Sequence, residues 1–170
     1  MSRLLVTSDL HLGHKNIHKH RSDMGFESAD AHHQFVFERL AAAIHPRDTV
    51  FFLGDIAFSL DWLKRIKTLK CNKKVLVMGN HDTDHCTITE IADAYDEVYS
   101  LLSHKGIWFS HAPIHDSELR GKFNFHGHTH SHNVEDSRYF NASLENTNYQ
   151  PVEVVNVKNI LMANLQGYVN

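Results

Sequence analysis

Apolar positions along the chain fall into short runs and spaced series, and each predicts an element. Arg3 to Ser8 is a short apolar run that reads as a strand, as do Thr49 to Leu53 and Lys74 to Met78. Between the first two, Asp9 to Asp30 is polar and histidine-rich, a long loop with room for a helical turn. Val36, Leu40 and Ile44 recur every four residues and predict a helix from Ala31 to Ile44. His45-Pro46 ends it, because proline cannot continue a helix. Leu60, Leu63, Ile66 and Leu69 recur every three residues and predict a second helix; Thr87 to Ala94 predicts a short third. Beyond these the runs shorten. Glu97 to Leu102 and Gly106 to Ser110 read as strands around a turn at His104-Lys105-Gly106. Lys122 to Phe125, Tyr139 to Leu144 and Val152 to Val155 read as further strands. Asn156 is placed to cap a last helix through Leu165, closed by Gly167. The first half alternates strand and helix, which predicts parallel pairing, and the second half is strand-rich. Mixed sheets in an α/β arrangement follow, in one domain over residues 1–170.

Composition narrows the function. Hydrophobic residues at 42% and charged residues at 22% exclude disorder and coiled coil. A net charge of −3 argues against stable binding of duplex nucleic acid. The apolar run at Met1 to Val6 is too short for a signal peptide's core, and no stretch has the length of a membrane span. Cys71 and Cys86 fit no zinc-finger or thioredoxin spacing, so a reducing, cytoplasmic setting without a membrane is expected. The sequon Asn141-Ala142-Ser143 then carries no weight. The oddity is histidine: 16 residues, against 17 Lys and Arg together.

The histidines gather where chemistry is expected. Polar clusters directly follow five of the strands: Asp9-Leu10-His11-Leu12-Gly13-His14, Gly54-Asp55, Gly79-Asn80-His81-Asp82, Ser110-His111 and His126-Gly127-His128-Thr129-His130. In α/β sheets ligand sites lie at the carboxyl ends of strands, so five such clusters converge. Asp, Asn and His supply oxygen and nitrogen ligands suited to ions such as Mn, Fe or Zn. Asp9-x-His11 and His128-x-His130 project both members one way if the backbone is extended, and form a pincer if it is a loop. His14 stands close enough to line the site, and His126 is expected beside it or in the core. Arg21 is a candidate to support the site from behind or to contact a substrate phosphate, and Arg120 and Lys122 are candidates for such a contact, against the plainer reading of all three as solvated charges. His18, His20, His32, His33, His45, His85, His104, His115 and His132 fit no cluster and are expected at the surface.

Taken in order, SDLHLGH, FLGD, VMGNHD, FSHAP and FHGHTH, over residues 8–130, resemble the motifs of the calcineurin-like metallophosphoesterases. FNASLEN at 140–146 resembles the segment that follows the last motif in small bacterial and phage members. The resemblance implies a four-layer α/β fold, a β-sandwich of two mixed sheets flanked by helices. It implies two divalent metal ions, manganese first, with iron, zinc, nickel or cobalt as alternatives. Asp9, His11 and His130 would hold one ion, Asn80, His111 and His128 the other, and Asp55 would bridge them. A hydroxide bridging the ions would attack phosphorus in line, with His81 as acid or transition-state stabiliser and Asp82 as its orienting partner.

The implied activity is a phosphodiesterase acting on small or cyclic nucleotide-type diesters, 2′,3′-cyclic ones included. Only Ala112 to His126 separates the last two motifs, which leaves little room for a cap. A protein phosphatase or nuclease with the same site is the alternative. Asp55 is followed by Ile56-Ala57-Phe58-Ser59 rather than a D-x-x-D-R-G-like run, which disfavours the phosphatase. A non-catalytic metal-binding scaffold is the alternative of another class. Oligomeric state is left open.

Overall fold

The computed structural model describes residues 2–167. Nine strands form two mixed sheets. The first has β1 (Leu4–Thr7), β2 (Thr49–Phe52), β3 (Lys73–Val77) and β4 (Glu97–Tyr99) in parallel, with β9 (Val152–Glu153) antiparallel on the β1 edge. The second has β5 (Leu102–His104), β6 (Ile107–Phe109), β7 (Phe123–His126) and β8 (Tyr139–Asn141), parallel except for the β5–β6 hairpin.

The strands of the first sheet are apolar on both faces because both are covered. Leu5, Val50, Phe52 and Leu76 face the helices and join one buried cluster. Val6, Phe51, Val75 and Val77 face the second sheet, where Ile107, Phe109 and Phe125 meet them. The helices are α1 (Ile17–His20), α2 (Ala29–Ala43), α3 (Leu60–Lys67), α4 (Ile88–Ala94) and α5 (Val154–Gly167). Val36 and Leu40 of α2, Leu63 and Ile66 of α3 and Ile91 of α4 cover the outer face of the first sheet. Val154 and Leu161 of α5 enter the cluster between the sheets. The expected sandwich of two mixed sheets with flanking helices is therefore present.

Several boundaries move, each for a local reason. Ser28 caps α2 by accepting from the Ala31 N–H, so the helix starts earlier than its apolar series. Thr87 and Glu90 form a capping box that starts α4. The loop at 9–30 contains α1 and a 3₁₀ turn at Ser22–Met24. Glu97 to Leu102 is not one strand: Glu97–Tyr99 pairs in the first sheet and Leu102–His104 in the second. Apolar alternation does not record a change of partner. The β5–β6 turn is Lys105-Gly106, both at positive φ, as a two-residue hairpin needs. Tyr139 to Leu144 is a strand only to Asn141, after which a 3₁₀ turn forms at Leu144–Asn146. Val154 and Val155 belong to α5, not to a strand, so Asn156 lies inside the helix and does not cap it. Among the described residues no helix is long and apolar enough to cross a membrane.

Candidate metal centre

All five polar clusters lie just past the carboxyl ends of β1, β2, β3, β6 and β7. The two sheets meet there. Asp9, after β1, accepts the His128 N–H at 2.9 Å from the loop after β7. The Nδ1–H of His111, after β6, donates to the Leu53 carbonyl at the end of β2, at 2.7 Å.

The candidate ligands are held in an unusual backbone state. Asp9, His11, Asp55, His128 and His130 all have φ between 49° and 67°. Left-handed conformations in non-glycine residues cost energy and gather at functional sites. Both D-x-H and H-x-H pairs are thus pincers on loops, not extended pairs sharing a strand face. Close approach also fixes the glycines. A Cβ on Gly127 would strike Ser8 Oγ and Asp9 Oδ2, and one on Gly79 would strike Asp55 Oδ1.

Each aspartate turns one oxygen to the protein and the other to the centre. Asp9 Oδ2 accepts from the His128 N–H and, at 2.8 Å, from the Ser143 hydroxyl, while Oδ1 is buried without a partner. Asp55 Oδ1 accepts the His81 N–H at 2.9 Å. Its Oδ2 stands 3.4 Å from His111 Nε2 and 4.0 Å from His11 Nε2. That places it between two groups of ligand atoms. Asp9, His11 and His130 form one cluster, and Asp9, Asp55 and His111 another, each with ligand atoms mutually within 4.8 Å. Because Nδ1 of His111 is spent on the Leu53 carbonyl, Nε2 is the nitrogen turned to the centre. Asn80 Oδ1 stands 2.9 Å from it and His128 Nδ1 3.2 Å. His11 Nε2, like Asp9 Oδ1, is buried with no hydrogen-bond partner.

Electrostatics match a cation site. Burial alone would raise Asp9, yet His11 and His111 beside it hold its carboxyl well below the usual range. Burial also opposes ionisation of Asp55, and His111 again outweighs it and lowers its pKa. His11 is pushed down by burial, toward the neutral ligand form. Buried carboxylate oxygens and imidazole nitrogens gathered within a few ångströms fit divalent ions of borderline hardness.

The surrounding residues depart from expectation. Asp82 does not orient His81. It is buried, and its carboxylate accepts the N–H groups of Gly79, Asp55 and Ile56 at 2.7, 3.1 and 3.0 Å, pinning two ligand loops together. Burial, with Asp55 close by, raises its pKa. His81 instead pairs through Nδ1 with Asp84 Oδ2 at 2.7 Å, and its half-exposed ring packs on Phe58, which also packs on His11. Arg21 is neither solvated nor free for substrate. It is 2% exposed and donates to the Asp9 carbonyl at 2.6 Å and to Glu145 at 2.8 Å. Lys122 and Arg120 lie at the opposite end of β7; Lys122 stacks on Trp108 and Arg120 pairs with Glu118. His14 lines a cleft of about 480 Å³ beside His11 and His130. His126 is buried and donates from Nδ1 to the Gly127 carbonyl, outside the ligand clusters. Of the nine unassigned histidines, His32 and His33 are buried, not at the surface, and the Arg21 guanidinium donates to His32 Nε2 at 2.7 Å.

The calcineurin-like phosphoesterase family profile matches residues 2–164. The chain belongs to this family. The candidate centre and the membership together make it a metal-dependent phosphoesterase. Members of the family typically bind two divalent metals. Similar proteins include the uncharacterized protein MJ1445 of Methanocaldococcus jannaschii, 25% identical, over 93% of this chain and 86% of that protein. The gene 66 protein of Mycobacterium phage L5 is 28% identical, over 77% of this chain and 79% of its own. Among solved structures, the protein of unknown function AQ665 from Aquifex aeolicus aligns with TM-score 0.71 and 26% identity, over 94% of this chain and all of that one.

Sequence reasoning missed Ser143, Glu145 and Asp84. The first two sit in the FNASLEN segment, whose polar residues alternate, a signal that was legible but had no partner assigned.

Proposed function

We propose that this phosphoesterase is a dinuclear phosphodiesterase acting on small or cyclic nucleotide-type diesters, with manganese as its preferred ion and the cytoplasm as its compartment. The observation that carries the diesterase reading is His81. Asp84 accepts from its Nδ1–H, which leaves Nε2 as the nitrogen that exchanges a proton. A diester's alkoxide leaving group needs that proton, and the His81 imidazole is the group that would deliver it. Two ions, when bound, supply Lewis acidity toward the phosphoryl oxygens and activate the attacking water. Asp9, His11 and His130 would hold one, Asn80, His111 and His128 the other, with Asp55 between them. The main-chain N–H of His81 donates to Asp55 Oδ1, which anchors the backbone of the acid beside the candidate ligands.

The cleft beside His11 and His130 supports a small substrate. Its volume, about 480 Å³, suits a nucleotide-sized ligand, and His14, Ile17 and His20 form part of its wall. Arg21 also borders it, but its guanidinium is consumed by internal bonds, so binding of the phosphoryl group falls to the ions.

The test is hydrolysis of bis-p-nitrophenyl phosphate and 2′,3′-cyclic nucleotides with added manganese, beside p-nitrophenyl phosphate, a phosphopeptide and plasmid DNA. Turnover of the small diesters is expected. Activity on the monoesters alone would overturn the diesterase reading, and no turnover of any ester by the metal-loaded protein would favour the scaffold.

A further inference from the structure

The FNASLEN segment has no role in the reading above, yet its polar residues all reach the centre. Asn141 Nδ2 donates to the His130 carbonyl at 2.7 Å and the His132 carbonyl at 3.1 Å. Ser143 holds Asp9 Oδ2, and Asn146 Nδ2 donates to the His130 carbonyl at 2.6 Å. Glu145 Oε1 accepts the His130 Nδ1–H at 3.0 Å and the Arg21 Nε–H at 2.8 Å. Asn141 ends β8, Ser143 stands just before the 3₁₀ turn at Leu144–Asn146, and Glu145 and Asn146 lie in that turn, which brings their side chains back to the His130 loop.

Glu145 is the member with a chemical consequence. A carboxylate only accepts, so its bond fixes the proton of His130 on Nδ1 and directs the Nε2 lone pair to the centre. His130 has no other side-chain partner for that nitrogen among the described residues. Arg21 holds the carboxylate from behind while donating to the Asp9 carbonyl, so one carboxylate links two ligands about 120 residues apart in sequence.

We propose that Glu145 is a positioning residue for the ion held by Asp9, His11 and His130, setting the tautomer and orientation of His130 with Arg21 as its clamp. This rests on the dinuclear reading only for the identity of the ligand set. Partners that orient a ligating histidine typically change metal affinity by roughly 10–100-fold when removed.

Manganese binding to wild type, Glu145→Ala and Glu145→Gln, followed by titration calorimetry, tests it. Wild type is expected to bind two ions. In Glu145→Ala one ion should weaken by roughly 10–100-fold while the other keeps its affinity. Glu145→Gln retains an acceptor at Oε1 and should recover much of that loss. Equal weakening of both ions, or of neither, overturns the proposal, as does a glutamine no better than alanine. Nitrogen NMR of the metal-free wild-type protein gives a reading independent of the variants' folding. Recorded at alkaline pH, where the imidazole is neutral, His130 should carry its proton on Nδ1, and a neutral ring protonated on Nε2 instead overturns the proposal. A wild type that binds no manganese overturns the dinuclear reading, and the His130 spectrum still decides the role of Glu145.

Discussion

Two neighbours in one motif, His81 and Asp82, have opposite uses. The His81 ring is half exposed with one nitrogen held by Asp84. His81→Ala should keep both metals and lose roughly 10²–10⁴-fold in turnover of natural diesters. The loss should shrink for p-nitrophenyl esters, whose leaving group needs no proton; equal losses on both would remove His81 as the acid. Asp82 is buried and occupied by three backbone donors. Asp82→Ala leaves those donors unpaired and should cost roughly 2–4 kcal/mol. Melting of the metal-free variant checks this, with a drop of about 5–15 °C expected for a domain of this size. Asp55→Ala, by contrast, removes the oxygen between the two ligand groups and should abolish both metal occupancy and rate, read by metal analysis beside the diester assay.

At the scale of elements, α2 carries the pH dependence of folding. His32 and His33 lie buried in its first turns. Burial, and the charge of Arg21, press His32 down to about 3. Burial likewise lowers His33 to about 4. Both therefore fold neutral. The unfolded chain takes up protons as pH falls through about 6.5, so the native state loses ground from there downward, until the folded values are reached. Each histidine contributes up to roughly 1.4 kcal/mol per pH unit in that window. Urea midpoints at pH 7.5 and 5 should fall markedly for wild type and much less for a His32→Gln, His33→Gln double variant, whose amides still offer an acceptor to Arg21. A wild-type midpoint that does not move would refute the assignment.

Elements also show what apolar spacing conveys. The series in α2 and α3 and the runs of β1 to β3 are legible because a face buried along its whole length imposes its period on the residues. Tyr99 to Leu102 is different. The chain leaves one sheet and enters the other, and neither partner is encoded in local alternation. Asn156 fails as a cap because the helix begins two residues earlier, directly from β9.

For the whole molecule, the centre is where two sheets are joined. Five candidate ligands at positive φ and two buried carboxylates concentrate strain and charge there. Divalent ions should therefore stabilise the fold by mass action, about 2.7 kcal/mol per site at a hundredfold excess over Kd. That corresponds to a rise in Tm of roughly 5–10 °C per site. Manganese added to chelator-treated protein should show this shift, and Asp55→Ala should not. An identical shift in that variant would place the ions elsewhere.

The candidate ligands were legible in the sequence itself, through the motifs that resemble the family's. Asp9, His11, Asp55, Asn80, His111, His128 and His130 stand at strand ends because a short buried strand and the polar turn after it are both local patterns. What holds those ligands was decided only by tertiary structure. The partners of His130 and Asp9 are Glu145, Arg21 and Ser143, and the Asp82 carboxylate spans the loops after β2 and β3. The sequence offers Arg21 as a candidate beside the site or on substrate, with a solvated charge as the plainer reading, and does not show its burial, since no local pattern marks a guanidinium whose acceptors lie elsewhere in the chain. The physical reason is one of range: spacing along a chain reports which face is buried, whereas a hydrogen bond between distant residues exists only once folding has brought its donor and acceptor together.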